Sequence, residues 1–366
     1  MNNICFLNST RFWGGGEKIH FDYAIKFRDR GYNVYFAASQ GNLLAEKASQ
    51  NKFSVFHITL KNLSFLNPIK YLRLIRFYRK QNIDAVIISA SHDTKVGAIA
   101  AKVAGVKKIV LYRALAAPVK NRFLNRYLYK RVFTHVIANS LETRRTMLLE
   151  LTSITKDDVA IVYQGLDIRS IDDQEINQMN FEKDQFIIGN AGRLTAQKGQ
   201  HYLIDIAKQL KSKNLNFKIV IAGTGELETS LREKINNEQL TNEVELIGFT
   251  DDVNSFMHSI DVFALTSEWE GFGYVLAEAM IAHKPLIAFN ITSNPELIEE
   301  GKNGFLLDFG DTKAFADKLY LLANEKDLRI KMGDSGRKIV EKRFQLDQII
   351  SDFEKCIKQP TTKVTT

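Results

Sequence analysis

The stretch Thr266–Leu286 reads T-S-E-W-E-G-F-G-Y-V-L-A-E-A-M-I-A-H-K-P-L. Short apolar runs flank it, Val262–Leu265 before and Leu286–Phe289 after, and both read as buried strands. Between them, Gly273–Ala282 is apolar on every face except for one charge, Glu278, which predicts a buried helix. A carboxylate on such a helix is costly unless it is paired or hydrogen-bonded. A second carboxylate, Glu270, stands eight residues earlier in the glycine-rich turn before the helix. Backbone amides around Phe272–Val275 lie between the two, at a helix N-terminus suited to anions. Acid, anion-binding turn, acid: this order suits a phosphate flanked by hydroxyl-bearing groups, as in a sugar nucleotide.

The alternation of strand and helix runs almost from end to end. Ile4–Leu7, Val34–Ala37, Val55–Ile58, Ala85–Ser89, Ile109–Tyr112, Val136–Ala138 and Val159–Tyr163 read as buried strands. After a polar segment it restarts at Phe186–Gly189, Lys218–Ala222, Glu245–Gly248, Val262–Leu265, Leu286–Phe289 and Phe305–Leu307. Such repetition predicts α/β architecture with parallel, doubly wound sheets. At 366 residues the chain is also longer than one core normally serves. The expected organisation is a Rossmann-like domain over 1–166, a linker over 167–184 and a second Rossmann-like domain over 185–344, facing each other across a cleft. A helix at about 345–358 is expected to pack back on the first domain, and Gln359–Thr366 to be a frayed tail. Ligands of open α/β sheets bind beyond the carboxyl ends of the strands, where all the candidate motifs fall.

Composition is globular, at 45% hydrophobic and 25% charged residues, with nothing of low complexity. Cys5 and Cys356 read as unpaired thiols of a cytosolic protein. The N-terminus lacks a basic segment and a long apolar core, so it reads as a first strand and not a signal peptide. No apolar run reaches the ~20 residues that span a bilayer, which leaves a soluble or membrane-associated protein.

Net charge is +8, unevenly spread. Residues 1–180 carry 27 Lys and Arg against 14 Asp and Glu, and residues 181–366 carry 23 against 28. From Lys61 to Arg145 the count is 18 against 3, which points to an anionic partner. Two stretches concentrate the charge: Pro68–Lys80, where Tyr71, Leu74, Ile75 and Tyr78 alternate with Arg73, Arg76 and Lys80, and Val119–Arg131. The latter spaces Arg122, Arg126 and Lys130 by four, beside Phe123, Leu124, Tyr127 and Leu128. Basic helices rich in aromatics suit anionic membrane surfaces, although their apolar stripes could equally pack on the sheet. No nucleic-acid partner is expected, because the α/β scaffold carries no recognisable binding motif.

Cationic and glycine-rich loops follow several strands. After Phe186–Gly189 comes N-A-G-R-L-T-A-Q-K-G, whose Arg193 and Lys198 could clamp a diphosphate or form a solvated surface pair. The next strand ends in A-G-T-G-E, with Gly223 and Gly225 bracketing Thr224. The first strand runs into Gly14, Gly15 and Gly16, followed by Glu17 and a helix. The spacing is not the dinucleotide fingerprint and no P-loop Lys-Ser/Thr follows, which disfavours a nicotinamide enzyme or an NTPase.

Together these motifs resemble glycosyltransferase family 4, the retaining group 1 glycosyl transferases of the GT-B fold. They are glycines after strand one, G-R-x4-K, G-x-G and E-G-F-G-x4-E. The resemblance covers essentially the whole chain and is strongest from Glu270 to Glu278, continuing into A-E-A-M-I-A-H-K-P-L-I and N-P-E-L-I-E-E-G-K-N-G-F-L-L. It implies that Arg193 and Lys198 hold the donor diphosphate, that Glu278 binds the ribose hydroxyls, and that Glu270 addresses the transferred sugar. The amides of Gly271, Phe272, Gly273 and Tyr274 would serve the sugar and distal phosphate, and Gly15 and Gly16 would close over the phosphates. Gly223 and Gly225 would line the same donor site. The chain departs from the family at His283, where a Gly is usual, and at Gln164 in a turn that keeps Gly165 and Asp167. Arg113 stands where many members place a His. Together with His92 and Asp93 after the strand Ala85–Ser89, Arg113 is a candidate on the acceptor side.

The implied activity is metal-independent retaining transfer from a nucleotide diphosphate sugar, with the departing phosphate accepting the acceptor's proton and cleft closure excluding water. Family frequency favours UDP, and no residue excludes GDP or ADP. No Asp-x-Asp motif occurs and the histidines are scattered, so no metal site is expected. The basic half favours an anionic or lipid-linked glycan acceptor of lipopolysaccharide, capsule or another surface polysaccharide. Peripheral contact with anionic lipid on the cytoplasmic face of the inner membrane is the accompanying expectation. A nucleotide-sugar epimerase or hydrolase on the same scaffold, or a non-catalytic nucleotide-sugar-binding subunit, are the competing readings.

Overall fold

The computed structural model describes residues 1–11, 14–182 and 184–360. It divides into two compact units, one of Met1–Gly165 with Leu346–Thr366 and one of Leu166–Gln345. Residues 361–366 of the expected frayed tail lie outside the described residues.

The first unit holds seven parallel strands: β1 Asn3–Asn8, β2 Asn33–Ala38, β3 Ser54–His57, β4 Ala85–Ile88, β5 Lys108–Arg113, β6 His135–Ala138 and β7 Val159–Ile161. They pair in the order β3-β2-β1-β4-β5-β6-β7, the doubly wound arrangement. Both faces of the central strands are covered, which is why those strands are continuously apolar rather than alternating. Ile4 and Phe6 of β1 enter one core, with Tyr23 and Phe27 of the helix Gly15–Asp29. Cys5 and Leu7 enter the other, with Leu74 and Tyr78 of the helix Pro68–Lys80. Period-two alternation thus sorts one strand into two cores.

The helix Leu346–Lys358 belongs to this unit and buries Leu346, Ile349, Ile350, Phe353 and Ile357. The Phe353 ring lies 5.6 Å from that of Tyr23 and 5.5 Å from that of Tyr112. A side chain at Gly165 would meet the Leu346 Cα at 2.7 Å, so the glycine lets the chain return this closely.

The second unit holds six parallel strands: β8 Phe186–Ala191, β9 Phe217–Ala222, β10 Val244–Gly248, β11 Val262–Leu265, β12 Leu286–Phe289 and β13 Gly304–Leu307. Their order, β10-β9-β8-β11-β12-β13, repeats the same winding. The polar segment expected as a linker is instead laid down on this unit. Asp167 caps the short helix Ile168–Asp172, whose Asp172 takes both Nη groups of Arg337 at 2.7 and 2.6 Å. Asn177 and Met179 donate backbone N–H groups to Ser255 and Ser259, each at 2.8 Å. Satisfying its backbone on a neighbouring helix is how a polar segment without its own core becomes part of a domain. Lys183 lies outside the described residues.

The charge asymmetry follows these units. The first carries 29 Lys and Arg against 13 Asp and Glu, a net +16; the second carries 21 against 29, a net −8. Among the described residues no helix is long and apolar enough to cross a membrane.

Candidate active site

Two loops at the carboxyl edge of the second sheet carry the donor-side candidates. The loop after β8 is fixed first by the loop after β9. Gly192 and Leu194 donate backbone N–H groups to Ala222 and Thr224, each at 2.9 Å. A Cβ at Gly223 would sit 1.9 Å from the Gly192 carbonyl, and one at Gly225 would sit 2.3 Å from that of Leu194. The G-x-G is therefore required by backbone packing against the loop that bears Arg193. Its two glycines hold that loop in place, a role the sequence reading did not assign them.

The same loop is then fastened to the one after β11. Gly199, at φ +61°, lies so close to Thr266 that a Cβ would meet its carbonyl at 2.2 Å. Glu268 N–H donates to the Gln197 carbonyl at 2.8 Å, and Gln197 Nε2 donates to that of Trp269 at 3.0 Å. Lys198 and Glu270 meet as a result: Lys198 Nζ donates to Glu270 Oε1 at 2.6 Å, and Ser267 Oγ donates to the same oxygen at 2.7 Å. Glu270 is 7% exposed, so this carboxylate is paired and hydrogen-bonded as burial demands. Arg193 is exposed, and its guanidinium makes no ion pair among the described residues.

The helix that follows is Tyr274–Ile281, entered through Gly273 at φ +79°. It is less uniformly buried than its composition predicts. Leu276, Ala277, Ala279, Met280 and Ile281 are buried, whereas Tyr274, Val275 and Glu278 form a half-buried stripe on one face. Glu278 therefore does not sit in the core. Phe272 turns its ring into packing, 5.3 Å from Phe344. Gly271 stands half-buried beside it.

The glycine turn of the first unit leads directly into the helix Gly15–Asp29, with Gly14 as N-cap and no side chain capping it. A Cβ at Gly15 or Gly16 would meet nothing within 4 Å, so internal packing does not require glycine at either position.

Of the three acceptor-side candidates, Asp93 faces inward. It is fully buried and accepts from Ser9 N–H at 2.8 Å and from Ser9 Oγ at 2.5 Å. Ser9 in turn takes Leu60 N–H and Ser39 Oγ, so Asp93 anchors the chain leaving β1 and does not present itself to a ligand. Burial pushes its carboxyl up, against the opposing pull of His92 and of the Ser9 hydrogen bonds. His92 is partly exposed, its Nε2 3.5 Å from Asp93 Oδ1. Arg113 ends β5, is 7% exposed, and donates from Nη2 to the Ala117 carbonyl at 2.5 Å. Asn139, directly after β6, is fully buried, and neither its Oδ1 nor its Nδ2 has a partner among the described residues. The sequence reading passed it over; the A-N-S that ends the strand run was the available signal. Among the described residues no group of three or more His, Cys, Asp or Glu could hold a metal ion.

The two basic stretches differ. Pro68–Lys80 is a regular helix, capped by Asn67 and begun with Pro68, and it buries Leu74, Phe77 and Tyr78. Leu63, Leu66, Ile69 and Leu72 nevertheless remain 51–71% exposed beside Lys61, Arg73 and Arg76. A groove of about 400 Å³ is lined by Arg73, Arg76 and Lys80 with Phe56 and Phe77. The second stretch breaks its expected four-residue rhythm: one helix covers only Phe123–Tyr127 and passes into a wider π-turn over Leu128–Val132. Arg122 is its N-cap, and Phe123 is 76% exposed.

Two family models tile the chain: Glycosyltransferase Family 4 over residues 13–170 and Glycosyl transferases group 1 over residues 172–339. The chain belongs to glycosyltransferase family 4. It is 37% identical over 172 residues to the Staphylococcus aureus capsular polysaccharide biosynthesis glycosyltransferase CapM, a match spanning 47% of this chain and 45% of the relative. It is 26% identical to the Escherichia coli UDP-Gal:alpha-D-GlcNAc-diphosphoundecaprenol alpha-1,3-galactosyltransferase, over 76% of this chain and 77% of that one. Anabaena HepE, solved in complex with UDP and glucose, superposes with a TM-score of 0.81 at 22% identity, over 97% of this chain and 99% of HepE. The family-4 architecture of two α/β domains, the GT-B fold, is therefore shared. Within it, Arg193, Lys198 and Glu270 converge on one edge of the second unit.

Proposed function

We propose that this chain moves a sugar from a UDP-sugar to an anionic or lipid-linked glycan acceptor in surface-polysaccharide synthesis, with retention and without a metal ion. The observation that carries this reading is the Lys198–Glu270 pair, buried at the strand end with exposed Arg193 on the same loop. A leaving diphosphate gains negative charge in the transition state, and preorganised cations stabilise that state more than the ground state. Arg193 offers a planar fork to phosphate oxygens and Lys198 a point charge. Glu270, held by Lys198 and Ser267, is positioned to accept a hydroxyl of the transferred sugar. Glu278, on the half-buried stripe, binds the ribose hydroxyls. The departing phosphate takes the acceptor's proton, so no side-chain base is needed. The relatives support UDP as nucleotide: HepE was solved with UDP, and the E. coli relative is named for UDP-Gal.

The first unit, at net +16, recruits the acceptor. Its exposed Leu63, Leu66, Ile69 and Leu72, with the groove lined by Arg73, Arg76 and Lys80, suit an anionic bilayer: apolar side chains enter the interface and cations meet headgroups. Vesicle flotation tests this part. Binding to anionic vesicles that falls with salt supports it, and equal binding to neutral vesicles removes it.

The donor is tested by a thermal-shift panel of sugar nucleotides. A ligand at a hundred times its dissociation constant adds about 2.7 kcal/mol of stability. A shift with UDP-sugars and transfer of labelled sugar to a membrane extract support the reading. Isomerised or free sugar as the sole product, or binding without turnover, overturns it.

A further inference from the structure

Among the described residues Arg113 is a buried cation without a counter-ion. The residue is only 7% exposed, yet among the described residues the one hydrogen bond its side chain makes is the Nη2 donation to the Ala117 carbonyl. Its Nε–H has no protein partner, and among the described residues no carboxylate lies within ion-pair distance. None is close in sequence either: between Asp93 and Glu142 the chain contains no Asp or Glu. A buried charge left uncompensated costs several kcal/mol as a rule, and proteins retain one where a ligand supplies the missing partner. Burial depresses the guanidinium below its ordinary value, against an opposing contribution from Tyr129.

The place is as informative as the charge. Arg113 is the last residue of β5, at the carboxyl edge where open α/β sheets bind ligands. On the adjacent strand end, Asn139 N–H donates to the Arg113 carbonyl at 3.0 Å. Both polar atoms of the Asn139 side chain lack a partner among the described residues, whichever way the amide is turned. An amide offers a donor and an acceptor to a hydroxyl, and a guanidinium edge offers paired donors to a carboxylate or phosphate.

We infer that Arg113 is the subsite for an acidic group on the acceptor sugar, a carboxylate or a phosphate, with Asn139 available to a hydroxyl of the same residue. The acceptor is then an acidic carbohydrate, and Arg113 is a specificity determinant that neutral acceptors cannot satisfy. This rests on the transferase reading only for the word acceptor; the anion subsite stands without turnover.

The test is binding of three probes to the full chain, D-glucose, D-glucuronate and glucose 6-phosphate, each with and without saturating UDP, by isothermal titration. At least one acidic sugar is expected to bind tenfold or more tightly than glucose, the tighter of the two distinguishing carboxylate from phosphate. Its affinity is expected to be unaffected by UDP. Arg113→Met should abolish the preference, Arg113→Lys should keep part of it, and both should bind UDP as the wild type does. Equal affinity for glucose and both acids in the wild type overturns the inference without reference to any variant. So does a preference that survives in Arg113→Met, and competition with UDP overturns the acceptor assignment. Failure of UDP itself to bind would count against the donor reading and leave the acid comparison legible. The melting temperature supplies a further readout. Removing an uncompensated charge should leave Arg113→Met at least as stable as wild type, whereas a purely structural Arg113 would make it less stable.

Discussion

Lys198 and Glu270 lie 72 residues apart, and Nζ of one stands 2.6 Å from Oε1 of the other. Three backbone and side-chain hydrogen bonds, from Glu268, Gln197 and Thr266, close the distance by fastening one loop to the next. The pair is thus built into the edge of the sheet before any substrate arrives.

Replacing Lys198 with Ala should lower turnover at least tenfold, in keeping with the ~2.7–4 kcal/mol that one oxyanion donor contributes to a barrier. It should also destabilise the protein by about 3–5 kcal/mol, because Glu270 is left buried and unpaired. A Lys198→Met/Glu270→Gln double variant separates the two effects: its melting temperature should recover while its turnover stays low. Recovery of both would take the pair out of the chemistry.

Arg193→Ala should behave differently, because this side chain is exposed and makes no ion pair among the described residues. Stability should change by no more than ~0.5 kcal/mol, as for ordinary surface positions, while turnover falls at least tenfold. Steady-state kinetics beside a urea melt decides it, and unaltered turnover would make Arg193 merely a solvated surface cation.

Strand positions were legible in the sequence because buried parallel strands are continuous apolar runs, and Ile4–Leu7 or Leu286–Phe289 admit no other simple reading. That the loop of Arg193 and Lys198 meets the loop of Glu270 was legible only through the resemblance of their motifs to the family, since spacing alone left Arg193 and Lys198 open to being a solvated pair. Three features were not. Asp93 looked available because it follows a strand, but its burial depends on Ser9, 84 residues away. Gly223 and Gly225 read as ligand glycines, and only the approach of Gly192 and Leu194 shows that backbone packing also requires them. The segment 167–184 looked like a linker because polarity alone does not reveal that Ser255 and Ser259 wait for its amides. One departure from the family became intelligible: His283 sits at φ +56°, a conformation that glycine adopts without strain.

Glu278→Gln should weaken UDP binding with little effect on stability, since Glu278 lies on the half-buried stripe of its helix and not in the core. Loss of one hydrogen bond between a charged group and the ribose corresponds to about 1.5–3 kcal/mol, or ten- to a hundredfold in affinity. Titration of UDP against uridine-free diphosphate locates the loss: diphosphate affinity should be unchanged. Identical UDP affinity in wild type and variant contradicts the ribose assignment.

Transfer should proceed at the same rate after treatment with chelator, because the proposal assigns the leaving phosphate's charge to Arg193, Lys198 and the helix N-terminus. Activity lost in chelator and restored by a divalent cation would overturn this part of the proposal, leaving the donor and acceptor assignments to their own tests.

Acid should release the C-terminal helix from the first unit through Glu354. Burial alone pushes this carboxyl up, but hydrogen bonds from Lys358, Tyr32 and Arg30 outweigh it and hold the value down to about 2, against an ordinary 4.5. A folded-state value below the unfolded one means the carboxylate stabilises the protein above pH 4.5, and that stability is lost as pH falls from 4.5 towards about 2. The residues concerned join two elements: Arg30 also donates to Asp347 and Ser351, and Tyr32 Oη donates to Glu354 at 2.5 Å. Glu354→Gln should therefore be less stable than wild type at neutral pH and show a shallower loss between pH 4.5 and 2. The loss should not vanish, because Asp84 in the same unit is also held below its ordinary value, chiefly by the Asn2 backbone N–H. Urea melts of both proteins across this pH range read the difference directly. Parallel curves would show that Glu354 does not link the helix to acid stability.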